Sequence, residues 1–293
     1  MDPVDLALER FGLGARPGDR ERMRDPVRWL TDQITPAAAT HASLATFGSA
    51  RDLQIAGAAL SNDDRKRQAK TTFAIELKAR VNVAFTTDTP FAERWVRHSS
   101  NHFSVSTRRL QTSLFVGAFE REVARAHAFG RFSDMLLAST QHPAMLAYLD
   151  NEKSIGPEST YAQRPARSNR TAQSGNVDEP GLNENLAREV LELHTLGADG
   201  GYTQDGVRAL ANLLTGWGSD ERNQFGGGFY FDDKKHQPGS VTLLGKRYGE
   251  GLAEGVRALT DLAAHPSTAR NVSRRLAKHF RIDHPAEIAA LEA

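Results

Sequence analysis

Apolar residues recur mainly at helical spacing, and the clearest case is Asn183 to Gly197, reading NENLAREVLELHTLG. At 3.6 residues per turn, Leu186, Ala187, Val190, Leu191 and Leu193 share a face, with His194 near its middle. Glu184, Asn185, Arg188, Glu189, Glu192 and Thr195 fall on the other face. Asn183 is the expected N-cap, because its side-chain carbonyl can take an orphan amide of the first turn. Gly197 is the expected C′ residue, since glycine enters the left-handed region without steric penalty.

The same spacing predicts helices elsewhere. Asp2-Pro3 and Asp25-Pro26 each start one, the acid capping and the proline at the first helical position. Asp63 to Phe85 is amphipathic, with Phe73, Ile75, Leu77, Val81 and Val83 as its apolar residues. Thr89-Pro90 opens FAERWVRHSSNHF, and Leu114 to Val123, FGRFSDMLLAST, AMLAYLDN and VRALANLLTGW follow. His142-Pro143, His265-Pro266 and His284-Pro285 mark corners between helices, because a residue before proline is pushed out of the α region. Only Gly226 to Asp233 and Ser240 to Tyr248 alternate as strands do, which predicts one small β-ribbon. The expected fold is therefore mainly α: a single multi-helix globular domain over residues 1–293. Residues 152–181 are too polar and glycine-rich to offset their ordering entropy and are read as a flexible insertion, either a lid or plain disorder. The closing AEIAALEA presents Ile288 and Leu291 on a face that nothing later covers. That predicts a copy truncated at its C-terminus, with Leu276, Phe280 and Ile282 left exposed.

Composition narrows the function classes. The 37 basic and 36 acidic residues balance, so no global field favours nucleic acid. Without cysteine there are no disulfides and no thiolate metal ligands. No run reaches the ~20 apolar residues of a membrane span, and MDPVDLALER has neither the basic nor the apolar region of an export signal.

Candidate chemistry gathers on the central helix. Glu189 and Glu192 are three residues apart and could together face a pocket, as ligands for a divalent cation or as an acid and a base. His194 and His102 are the best histidine candidates, since neither precedes a proline. Asn101, Asn185 and Arg188 are the polar neighbours suited to holding a substrate. The bland alternative is a solvated ladder Glu184-Arg188-Glu192 and two satisfied core histidines. Neither Glu-x-x-His nor His-Glu-x-x-His occurs on this helix, so no known metal motif is complete.

Several segments, in order, resemble the bacterial domain-of-unknown-function family DUF1800. They are Arg10 to Gly18 (RFGLGARPG), Asn101-His102-Phe103, His142-Pro143-Ala144-Met145 with Tyr148 to Asn151, Asn183-Glu184-Asn185, Glu192 to Gly197 (ELHTLG), Thr215-Gly216-Trp217 and His265-Pro266. The resemblance implies a predominantly helical protein, often exported and often encoded beside a sulfatase-like protein, which would be its partner. It carries no settled activity. This chain departs from the pattern at His98 and Ser99, where an aromatic pair is usual, and at Gly206, where an acid is usual. Two function classes follow: a metal-assisted, hydrolase-like enzyme with a polar pocket beside helix 183–197, and a non-catalytic helical binding or assembly module.

Overall fold

The structure is a computed structural model that describes residues 2–163, 181–220, 223–224 and 226–281. It is mainly α, with two small two-stranded antiparallel sheets among the described residues. Proline sets the start of the helices Pro3–Leu6, Pro26–Thr31, Pro90–His102, Pro143–Tyr148 and Pro266–His279. Asp2 and Asp25 cap the first two, as the acid-proline pairs predict. The histidine of the His-Pro corners does more than mark a turn. Nδ1 of His142 accepts from the Ala144 amide at 3.0 Å, and Nδ1 of His265 accepts from the Ser267 amide at 3.1 Å. Each imidazole thus caps the helix that its proline starts. His284-Pro285 lies outside the described residues.

The central helix runs as an α-helix over Asn185–Glu189 and continues as a π-helix over Val190–His194. Thr195 Oγ1 donates to the Val190 carbonyl at 2.6 Å, and the Gly197 amide to that of Leu191 at 3.2 Å. A π-turn takes more residues than an α-turn. The buried pairs Leu186/Ala187, Val190/Leu191 and His194/Thr195 accordingly recur every four residues. Leu193, placed inside by a strict 3.6 period, is instead 45% exposed, and Thr195 moves from the outer face to full burial. The inward face joins a core that extends from Ala50 to Leu262 and includes Leu136, Met145, Leu210 and Trp217.

Helix Asn62–Thr86 meets the sequence expectation only in part. It buries Ala69, Glu76 and Val83, while Ile75, Leu77, Val81 and Phe85 face solvent. Glu76 lies against Gly117 of helix Leu110–Phe119, where any side chain would collide with its carboxylate. Glu76 pairs with Arg121 at 3.1 Å. Beside it, buried Arg125 makes a two-bond clamp on Glu93 (2.8 and 3.1 Å) and binds Glu120 (2.7 and 2.9 Å). Buried charge therefore joins these helices alongside the apolar contacts of Ala69 and Val83.

The predicted ribbon resolves into two hairpins. Strand β1 (Trp217–Ser219) pairs with β2 (Phe229–Phe231), in the register Trp217↔Phe231. Strand β3 (Val241–Leu243) pairs with β4 (Lys246–Tyr248) across the turn Leu244-Gly245, both residues at positive φ. Of the expected flexible insertion, residues 152–163 are docked: the Ile155 amide donates to Gly181, that of Gly156 to Lys235 and that of Tyr161 to Lys234. Its remainder, 164–180, lies outside the described residues, as do Ile282 and AEIAALEA. Phe280 is not left exposed. It is buried, stacked on Phe11 at 5.5 Å and close to Phe91 and Trp95.

Candidate functional site

Helix Pro90–His102 places His98 and His102 one turn apart on its inward side. Helix Pro266–His279 lies alongside and contributes Arg275 and His279, and the π-turn contributes His194. Ring centroids run His279–His98 at 4.9 Å, His98–His102 at 6.4 Å and His102–His194 at 6.4 Å. The end of the central helix explains why they gather. Its final carbonyls have no partner within the helix, and three side chains from the two neighbouring helices supply one. Arg275 Nη1 donates to Leu193 O at 2.6 Å, His102 Nε2 to His194 O at 2.9 Å, and Asn271 Nδ2 to Thr195 O at 2.7 Å.

That contact decides the tautomer of His102. A carbonyl only accepts, so the proton is on Nε2 and Nδ1 carries a bare lone pair. This Nδ1 is buried and has no hydrogen-bond partner, as are His194 Nδ1 and His279 Nε2. Burial holds all four imidazoles neutral. His98 and His194 are lowered to about 3 and His102 to about 4, in each case first by desolvation, with the Arg275 charge acting in the same direction. His279 is lowered by desolvation and by Arg94. A pocket of about 150 Å3 opens onto two of these imidazoles, His98 and His102, with Ser99 and His127 beside them and walls of Trp95, Phe103, Phe132 and Leu276.

The predicted site residues divide. His102 and His194 come together, and both are buried. Glu189 and Glu192 stand with each other instead. The Glu189 carboxyl is raised by desolvation and then by its neighbour's charge, and Glu192 accepts from the Tyr202 hydroxyl. Asn101, Asn185 and Arg188 are exposed. Arg188 binds Glu184 at 3.0 Å in a surface network with Gln204 and Arg208, which is the solvated ladder without its Glu192 rung. Among the described residues no group of three His, Asp or Glu side chains is placed to hold a metal ion. His98, His279 and Arg275 are the members that sequence reasoning missed. The i, i+4 spacings His98/His102 and Arg275/His279 were the available signal.

The family profile described as a protein of unknown function, DUF1800, matches residues 6–292. This chain belongs to that family. Searches of curated proteins and of solved structures return no match. In this DUF1800 protein the segments that carry the resemblance sit at structural corners. Asn151 Nδ2 donates to the carbonyls of Leu214 and Trp217 at 3.0 and 2.9 Å. The N-cap position of the central helix falls on Glu184, whose side chain makes no cap; Asn183, one residue earlier than expected, accepts from the Asn185 amide, and its Nδ2 also holds the carbonyls of Leu149 and Asp150. Trp217 is fully buried over Gly255. No helix of the described residues is long and apolar enough to cross a membrane.

Proposed function

We propose that this DUF1800 protein is a helical binding protein whose ligand enters the imidazole pocket as a small molecule with an apolar body and one hydrogen-bond donor. The bare, buried Nδ1 of His102 is the observation that carries this reading. Imidazoles held as low as about 3 and 4 accept hydrogen bonds at neutral pH. They are poor general bases there, since proton transfer works best when the catalytic pKa is near the working pH. Aromatic walls and neutral acceptors together fit a phenol-like ligand. Phenol titrated into protein with 15N-labelled histidine should shift the His102 Nδ1 resonance saturably. An unmoved resonance up to millimolar phenol refutes the reading.

The second reading is the metal-assisted, hydrolase-like enzyme. It is favoured by two unpartnered nitrogens on neighbouring rings, Nδ1 of His102 and Nδ1 of His194, whose ring centroids lie 6.4 Å apart. Nitrogen-only ligands suit zinc better than calcium or magnesium. Stoichiometric zinc after mild purification, lost on His102→Gln, would establish it; a metal-free protein that binds phenol would establish the first.

A further inference from the structure

A larger cavity, about 310 Å3, lies between helices Ala50–Ala58, Asn62–Thr86 and Leu110–Phe119 and shares no lining residue with the imidazole pocket. Its walls are apolar, formed by Leu53, Ala69, Leu114 and Phe115, and its rim carries Arg65 and Lys66. Arg65 is held in place: Nε donates to Gly57 O at 2.8 Å and Nη2 to Ala58 O at 3.1 Å. The third guanidinium nitrogen, Nη1, lies outside these two bonds. Lys66 pairs with Asp63 at 3.2 Å, but both side chains are well exposed, so a better-placed anion can replace that partner. Gln68, which also lines the cavity, has a buried Oε1 that accepts no hydrogen bond. Gln54 beside it has a partner at each end of its amide, its Oε1 accepting from the Gly228 amide and its Nε2 bonding Ser219. A buried acceptor left unpaired is costly, and a ligand with a donor removes the cost.

We propose that this cavity binds an N-acylated α-amino acid carboxylate with an apolar side chain. The carboxylate meets Arg65 and Lys66, the adjacent amide N–H donates to Gln68 Oε1, and the side chain packs on Leu53, Leu114 and Phe115. Acylation is required because a free α-ammonium group would sit beside two cations. The same chemistry occurs in a free N-acyl amino acid and at the C-terminus of a peptide.

The test is calorimetric titration of the whole chain with N-acetyl-L-leucine and with an octapeptide ending in leucine, each against its C-terminal amide. Saturable one-to-one binding of the carboxylates is expected, with affinity about tenfold lower in Gln68→Leu and in Lys66→Gln. A peptide that binds at least tenfold tighter than N-acetyl-L-leucine assigns the site to chain ends; equal affinities assign it to the free acyl amino acid. Methyl resonances of Leu53 and Leu114 in the unaltered protein should move in either case, a readout independent of how the variants fold. No saturable binding of either carboxylate, equal binding of the amides, or unmoved Leu53 and Leu114 methyls overturns the proposal.

Discussion

At the scale of single residues, the histidines carry the largest pH dependence. His98, His102 and His194 have folded values of about 3, 4 and 3 against an ordinary 6.5, so between those limits the unfolded chain binds more protons than the folded one. Their contribution to stability is therefore complete above about pH 7, falls as pH drops through 6.5, and is fully lost only near the folded values. The expected loss between pH 7.5 and 5 is on the order of 1–2 kcal/mol per histidine. Urea denaturation at the two pH values should show it, and His98→Gln should flatten the dependence by one histidine's share. Arg125 makes a second residue-scale case. It is buried with Glu93 and Glu120, so Arg125→Met leaves Glu120 with Arg80 alone and Glu93 with Arg97 alone, at 3.6 Å. Removing one partner of such a group costs about 3–5 kcal/mol. An unchanged denaturation midpoint would show that water already screens the cluster.

Between elements, the contact of Asn62–Thr86 with Leu110–Phe119 depends on Gly117. A Cβ there would fall 1.2 Å from Glu76 Oε2, and Glu76 is buried and paired with Arg121. Alanine normally improves a helix interior by up to ~1 kcal/mol over glycine. Here Gly117→Ala is expected to destabilise by about 1–3 kcal/mol, because the buried carboxylate must move. Thermal unfolding will give the sign. The outward side of the long helix makes the opposite prediction. Phe85 is 74% exposed, so Phe85→Ser should change stability by less than about 0.5 kcal/mol. Helical periodicity identified this element, but of its five apolar residues Val83 alone is fully buried. Apolar residues mark the buried face reliably where apolar packing alone joins the helices, and here Glu76 and Arg121 share the contact with Ala69 and Val83.

Across the whole molecule, distant segments are tied by a few buried side chains that satisfy loop carbonyls. Asn151 is one: its amide holds Leu214 O and Trp217 O, joining the segment after helix Pro143–Tyr148 to the start of β1. Asn151→Ala removes one donor from each of two carbonyls, that of Leu214 keeping the Trp217 amide, and is expected to cost about 1–3 kcal/mol. It should also slow tryptic resistance less at the imidazole pocket than around Trp217, which limited proteolysis with mapped fragments can read. The three donors on the end of the central helix act in the same way, which is why His102 is a structural group as well as the leading ligand-facing one.

The sequence by itself determined the helical class, the proline-set helix starts, the hydrogen bond of Asn183 to the first amide of the central helix and the membership of DUF1800. All of these rest on local chemistry: fixed proline φ, short side chains beside free amides, and motif order along the chain. It also singled out His102 and His194 as a pair, because an imidazole on a packing face needs a partner. Only the tertiary structure decided what joins them. The π-turn shifts the phase of the central helix by less than a turn, and no residue spacing announces it. Glu189 and Glu192 already lie on the face opposite His194 by the plain helical spacing, whereas Arg275 and His279 are brought in by a helix some eighty residues downstream and His98 by helix Pro90–His102. Charge burial and helix-end capping across such separations depend on which surfaces meet, and one strand of sequence does not contain that information until it is folded.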